Sequence, residues 1–113
     1  MSHWSIIKIR IVNPNKELLT EAIKMVAKEL NYTVDIIGDC AYLGFMSGVI
    51  VNLNDATIRY DDERVLAKEL ANRVEQLLIK YYTVLSFNTA LRSLGYVVQN
   101  QRVGEKIVIR GIK

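Results

Sequence analysis

Hydrophobic and polar positions along this chain alternate, then cycle, then alternate again. Over Ser5–Val12 the residues Ile7, Ile9 and Ile11 share one side, with Lys8 and Arg10 on the other. That period of two marks a half-buried strand. Asn13-Pro14-Asn15 stops it, because proline cannot donate to a strand ladder and asparagine favours a helix N-cap. From Lys16 to Leu30 the period lengthens. Leu19, Ala22, Ile23, Val26 and Leu30 form one stripe, and Lys16, Glu17, Thr20, Lys24 and Lys28 stay outside it, which predicts an amphipathic helix. Asn31 sits where a left-handed C-terminal cap is wanted. Tyr32–Ile37 returns to alternation and ends at Gly38.

Residues 40–53 are the least polar part of the chain and carry no charge. Gly44 and Gly48 divide them into a strand or loop, a turn, and a strand at Val49–Leu53. Such an apolar run predicts a buried, central strand. Asn54-Asp55 turns into a short strand, Ala56–Tyr60. Asp61-Asp62-Glu63 reads as the cap of a second helix, with negative charge where the helix dipole favours it. Leu66, Leu70, Val74, Leu77, Leu78 and Tyr81 continue as its stripe, and the periodicity runs on to Leu94. A straight helix over 62–94 would measure about 45–50 Å. A compact domain of this size has a radius of gyration near about 13 Å. A break is therefore expected within 83–89, where Thr, Val, Ser and Asn weaken helix propensity. Gly95 caps the helical region, and Tyr96–Gln101 and Lys106–Ile112 form a hairpin around Val103-Gly104-Glu105. On its second arm Ile107 and Ile109 oppose Lys106, Val108 and Arg110.

An internal echo links Ile9-Arg10-Ile11 and Leu30-Asn31-Tyr32-Thr33-Val34 with Ile58-Arg59-Tyr60 and Leu94-Gly95-Tyr96-Val97-Val98. Two strand–helix–strand units would pack both helices on one face of a shared sheet. The class expected is α+β, one domain over residues 1–113. Its mostly antiparallel sheet has five to six strands, with two helical segments packed on one face.

The ends of the chain resemble a known family. Met1-Ser2-His3-Trp4-Ser5-Ile6-Ile7-Lys8 resembles the opening of the Ycf35-like proteins, a domain of unknown function found in plastids and bacteria. Residues 77–110 resemble that family's closing segment, with the Tyr81-Tyr82 pair, Leu94-Gly95-Tyr96-Val97-Val98 and Ile107-Val108-Ile109-Arg110. The middle departs, having fewer Trp and Gly-aromatic residues over Cys40–Tyr60 than the family pattern. The resemblance implies a small α+β fold and a role as accessory partner to a larger machine. It carries over no catalytic residue.

Composition narrows the classes further. Half of the 113 residues are hydrophobic and 24% are charged, which is globular rather than disordered. No apolar run reaches the roughly 18–20 residues of a membrane span, and no signal pattern opens the chain. A single cysteine, Cys40, cannot close an internal disulfide. A soluble cytoplasmic protein is expected. Residues 1–75 hold nine Lys/Arg against eleven Asp/Glu, whereas 76–113 hold six against one. A one-sided basic surface attracts anionic partners.

Candidate chemistry is sparse. A free N-terminal amine followed by Ser2 and His3 chelates Cu²⁺ or Ni²⁺, but loss of Met1 would weaken that set. His3 is the only histidine, so neither a zinc site nor a nucleophile–histidine arrangement is expected. The glycine-rich phosphate loops are absent. No catalytic, cofactor-binding or metal residue is assigned. The favoured reading is a non-catalytic binding or accessory module, self-associating or partnered through Tyr42, Leu43, Phe45 and Met46 in the apolar stretch. The alternative is a nucleic-acid binder using the basic C-terminal third, with Lys8, Arg10, Arg102, Lys106 and Arg110 as contacts. Trp4 and Tyr96 would stack bases if they faced the same side.

Overall fold

The computed structural model describes residues 3–44 and 47–112. Seven strands and two helices follow one another as β1 (Trp4–Lys8), α1 (Lys16–Leu30), β2 (Val34–Ile37), β3 (Cys40–Leu43), β4 (Val49–Asn52), β5 (Thr57–Asp61), α2 (Ala67–Ser93), β6 (Val97–Val103) and β7 (Lys106–Ile112). The fold is α+β. Its first five strands form one fully antiparallel sheet in the order β1-β5-β4-β3-β2, so the apolar β4 is indeed central.

Helix α1 starts and stops at its two asparagines. The Asn15 side chain accepts from the Leu18 N–H at 3.1 Å, satisfying a donor the first turn leaves open. Asn31 takes the left-handed conformation (φ 59°), and its N–H bonds the carbonyls of Ala27 and Lys28. Leu19, Ala22, Ile23, Val26 and Ala27 are buried against the sheet and α2. Two rows of inward side chains cross the strands beneath them. One runs Ile7, Ile58, Val51, Ala41, Ile36 and the other Ser5, Tyr60, Val49, Leu43, Val34. Their centres are buried, as the pleat requires when helices cover a single face.

Helix α2 departs from expectation at both ends. Its first residue is Ala67, and its N-cap, Leu66, offers no side-chain hydrogen bond. The acidic triplet closes a turn instead of capping. Asp61 belongs to β5, accepts from the Glu63 N–H at 3.0 Å and pairs with Arg64 at 3.4 Å. Asp62 accepts from the Ser5 hydroxyl. The buried stripe begins on Ala67 and Ala71 rather than on Leu66, which is exposed. Small side chains let the helix approach the sheet closely.

No break interrupts residues 83–89. The helix runs 27 residues without interruption, about 40 Å. Compactness was the wrong premise. The molecule measures 56 × 29 × 22 Å with a radius of gyration of 15.1 Å, above the roughly 13 Å of a compact domain. The polar residues are also used helically. Thr89 and Ser93 donate back to the carbonyls of Leu85 and Ala90, and tertiary packing outweighs their weak propensity. The helix ends where Gly95 takes a positive φ of 89°, the conformation a residue without Cβ adopts most readily.

Strands β6 and β7 pair only with each other. The second strand–helix–strand unit therefore never returns to the shared sheet. The hairpin folds back along the outer half of α2, with its turn near Leu77 and Lys80 and its base near Leu91.

Adjacent tyrosines fix how the helices cross. Tyr81 and Tyr82 point about 100° apart around α2. The Tyr82 hydroxyl accepts from the Asn15 N–H at the start of α1 (3.0 Å), while the Tyr81 hydroxyl donates to Glu29 in its last turn. The two rings thus reach opposite ends of α1.

Asn88 occupies a core position on α2 yet its Oδ1 has no hydrogen-bond partner among the described residues. An unsatisfied buried acceptor costs about 1–3 kcal/mol. Asn88→Leu is therefore expected to raise the urea midpoint and Asn88→Asp to lower it, as chemical denaturation will show.

Candidate functional site

Helices cover one face of the five-stranded sheet, and no described element covers the other. Strand alternation places Trp4, Ile6 and Lys8 of β1, Thr57, Arg59 and Asp61 of β5, Ile50 and Asn52 of β4, Cys40 and Tyr42 of β3, and Asp35 and Ile37 of β2 on that open face. Four of the apolar members are well exposed, Trp4 47%, Ile6 60%, Tyr42 39% and Ile37 68%, while Ile50 and Cys40 are half-buried. The outward side of an antiparallel sheet is ordinarily its polar side. Here large apolar side chains stand exposed among the polar Lys8, Asp35, Asn52, Thr57, Arg59 and Asp61, the mark of a contact surface. Trp4, Tyr42 and Ile50 also line a shallow cleft of about 190 Å³ at one end, floored by Gly44 and Gly48. In the middle row the order across the sheet is Ile6, Arg59, Ile50, Tyr42, Asp35.

Of the apolar-stretch residues expected at an interface, Tyr42 lies on this face. Leu43 does not. It is 1% exposed, points to the helices and belongs to the core, because neighbouring strand residues face opposite ways. Phe45 and Met46 lie outside the described residues. Trp4, Ile6, Ile37 and Arg59 were missed as surface residues because each sits in a pattern that equally suits a buried strand. Only the register shows which side is left open.

The five basic residues do not share a surface. Lys8 is on the open sheet face, and Arg10 borders a groove beside Tyr82 and Phe87 of α2. In the hairpin, Lys106 and Arg110 lie on one side, paired with Val103 and Gln99. Arg102, opposite Ile107, lies on the other side, turned towards the body. Trp4 and Tyr96 are equally separated. Trp4 pairs with Asp61, before α2 begins, and Tyr96 follows its end, so they stand at opposite ends of a helix about 40 Å long.

Arg102 instead enters a junction of three elements. Its Nη2 donates to the Tyr81 hydroxyl at 2.6 Å and to Glu29 Oε1 at 3.2 Å, and Tyr81 donates to the same carboxylate. Alongside, Lys80 Nζ donates to the Glu105 carbonyl at 2.6 Å and stands 5.7 Å from the centre of the Tyr81 ring. The Tyr81 hydrogen bond, helped by Arg102, holds the Glu29 carboxyl below its ordinary 4.5 against the opposing effect of partial burial. Burial first, and the bond to Glu29 second, push the Tyr81 hydroxyl above its ordinary 10.0. Between α2 and the hairpin turn lies a cleft of about 550 Å³, lined by Glu29, Arg73, Leu77, Lys80, Arg102 and Glu105 among others.

No group of three or more His, Cys, Asp and Glu residues able to hold a metal occurs among the described residues. No described helix is long and apolar enough to cross a membrane. No protein-family profile, characterised protein or solved structure matches this chain.

The junction ties the hairpin to the body in a pH-dependent way. A carboxyl whose folded pKa is depressed contributes stability above its unfolded value, and that contribution is lost as pH falls through the folded value. A raised tyrosine contributes below 10.0 and its contribution is lost as pH rises past that value. Amide exchange in β6 and β7, taken relative to the intrinsic rate at each pH, is therefore expected to accelerate well below pH 4.5 and again above pH 10.0. Glu29→Gln should remove the acid response specifically. Equal acid acceleration in that variant would contradict the assignment.

Proposed function

We propose that the protein is a non-catalytic binding module of the cytoplasm, an accessory component that works through protein–protein contact, with the open sheet face as its contact surface and a second copy of the chain as occupant. The observation that carries this reading is the uncovered set of Trp4, Ile6, Tyr42 and Ile37 around the half-buried Ile50. Membership of the Ycf35-like family is part of the proposal, resting on the residues at the two ends of the chain, and it adds no residue role.

Self-complementarity selects the occupant. When two such faces stack about a two-fold axis running along β4, β1 of one copy lies over β2 of the other. Ile50 then meets Ile50 of the partner subunit, and Arg59 meets Tyr42 of the partner subunit, a cation over an aromatic face. Ile6 lies over Asp35 of the partner subunit and Lys8 over Ile37 of the partner subunit, with the Lys8 ammonium one row from the carboxylate of the partner's Asp35, so the basic edge runs along the acidic one. An axis running across the strands would instead set Arg59 on Arg59 of the partner subunit, a like-charge contact that disfavours it. Five strands of four or five residues make a footprint of about 24 by 15 Å. That lies below the ~800 Å² per partner of a standard interface, so the dimer is expected to be reversible.

Sedimentation velocity over a concentration series tests the reading. A monomer–dimer equilibrium is expected, shifted to monomer by Ile6→Asp and by Lys8→Glu. Adding Asp35→Lys to Lys8→Glu should restore the dimer, because the charge pair is then reversed rather than lost. A monomer at every concentration, or dimers indifferent to these changes with the fold intact by circular dichroism, would overturn it.

A further inference from the structure

We propose that the cleft between α2 and the hairpin turn is a binding site for a phosphate-bearing small molecule, held by Arg73, Lys80 and Arg102. It is independent of the open sheet face, lying where α1, α2 and the hairpin meet. Its volume of about 550 Å³ falls within the roughly 300–1,000 Å³ of small-molecule sites. Arg73 and Lys80 are seven residues apart on α2. They therefore share a face, about 10 Å apart along the axis, and Arg102 enters from the hairpin.

Three cations surround the cleft against two carboxylates, but one carboxylate is already answered. Glu29 accepts from both Arg102 and Tyr81. Arg102 spends only Nη2 on that junction, leaving the rest of its planar fork for an anion. Lys80 gives one of its three donors to the Glu105 carbonyl, so its ammonium is held at the cleft wall with donors to spare. Arg73 has no ion-pair or hydrogen-bond partner among the described residues. Lys80 and Arg102, held in this way, lose little side-chain freedom on binding, while Arg73 brings an unshared charge. Leu77, half-buried in the same lining, offers an apolar surface to the organic part of the ligand.

The phosphate of a nucleic-acid backbone has the same chemistry. An extended polyanion, however, needs a continuous basic track. Lys106 and Arg110, on the opposite side of the hairpin from Arg102, do not extend the cleft. A compact ligand fits this arrangement.

Calorimetric titration with inorganic pyrophosphate at physiological ionic strength provides the test. One saturable site per chain is expected. Arg73→Ala and Lys80→Ala should each weaken it by roughly tenfold or more, the effect of losing one charge-assisted hydrogen bond. Glu105→Gln should tighten it about two- to threefold by removing a like charge from the rim. The double change Lys106→Ala/Arg110→Ala should leave it unchanged, as should Ile6→Asp, which addresses the other surface. Absence of saturation, or equal weakening by the Lys106/Arg110 pair, would overturn the site in favour of diffuse charge attraction. So would labelled single-stranded DNA that binds through Arg73 and Lys80 and is not displaced by pyrophosphate. Arg73 is exposed and makes no ion pair among the described residues, so its variant reports on binding rather than on folding.

Discussion

The crossing of α1 over α2, pinned by Tyr81 and Tyr82, organises the whole molecule. Two consecutive side chains on one helix reach the two ends of another, one accepting from a backbone N–H at its start and the other donating to a carboxylate in its last turn. The angle and position of the crossing are thereby set together. Below it, the inner half of α2 lies with α1 on the sheet, with Val74 and Leu78 in the common core. Beyond it, α2 leaves the sheet and needs separate cover, which the hairpin provides. Arg102 joins that cover to the crossing through the same tyrosine and the same glutamate.

This arrangement leaves two surfaces with different chemistry. With both helices drawn to one side, no described element covers the other face of the sheet, where large apolar side chains stand among polar ones. Where the hairpin turn approaches α2, cations from both elements gather round a polar cleft instead. The first surface suits a flat, apolar partner whose charges match at the edges. The second suits a small anion. Neither needs a residue to change its protonation near neutrality.

An isolated two-stranded hairpin is marginal in water. Here its inner side has Ile107 against the core cluster and Arg102 in the junction, while Val97, Val103, Val108 and Ile112 remain exposed. Attachment therefore rests on few contacts, several of them polar. The stability of the C-terminal third consequently follows the ionisation of Glu29 and Tyr81 more closely than does the body, where burial is almost entirely apolar.

Local pattern determined much of this protein. The period of α1 and its two asparagine caps, the strand alternation up to Lys8, the central place of Val49–Val51 and the hairpin about Gly104 all follow from spacing and backbone preference acting over a few residues. Tertiary structure decided what such short-range effects do not reach. Strand register, a relation between distant segments, chose which side of β1 and β3 would face the helices, placing Leu43 in the core and Tyr42 at the surface. The unbroken α2 depended on tertiary packing along its length, which outweighs the weak helix preference of Thr83, Ser86 and Asn88. Asp61 and Asp62 found partners in Arg64 and Ser5, so a cap favoured by sequence was replaced by a turn. The meeting of Arg73, Lys80 and Arg102 arises only because the hairpin folds back along α2, bringing together charges that lie up to 29 residues apart.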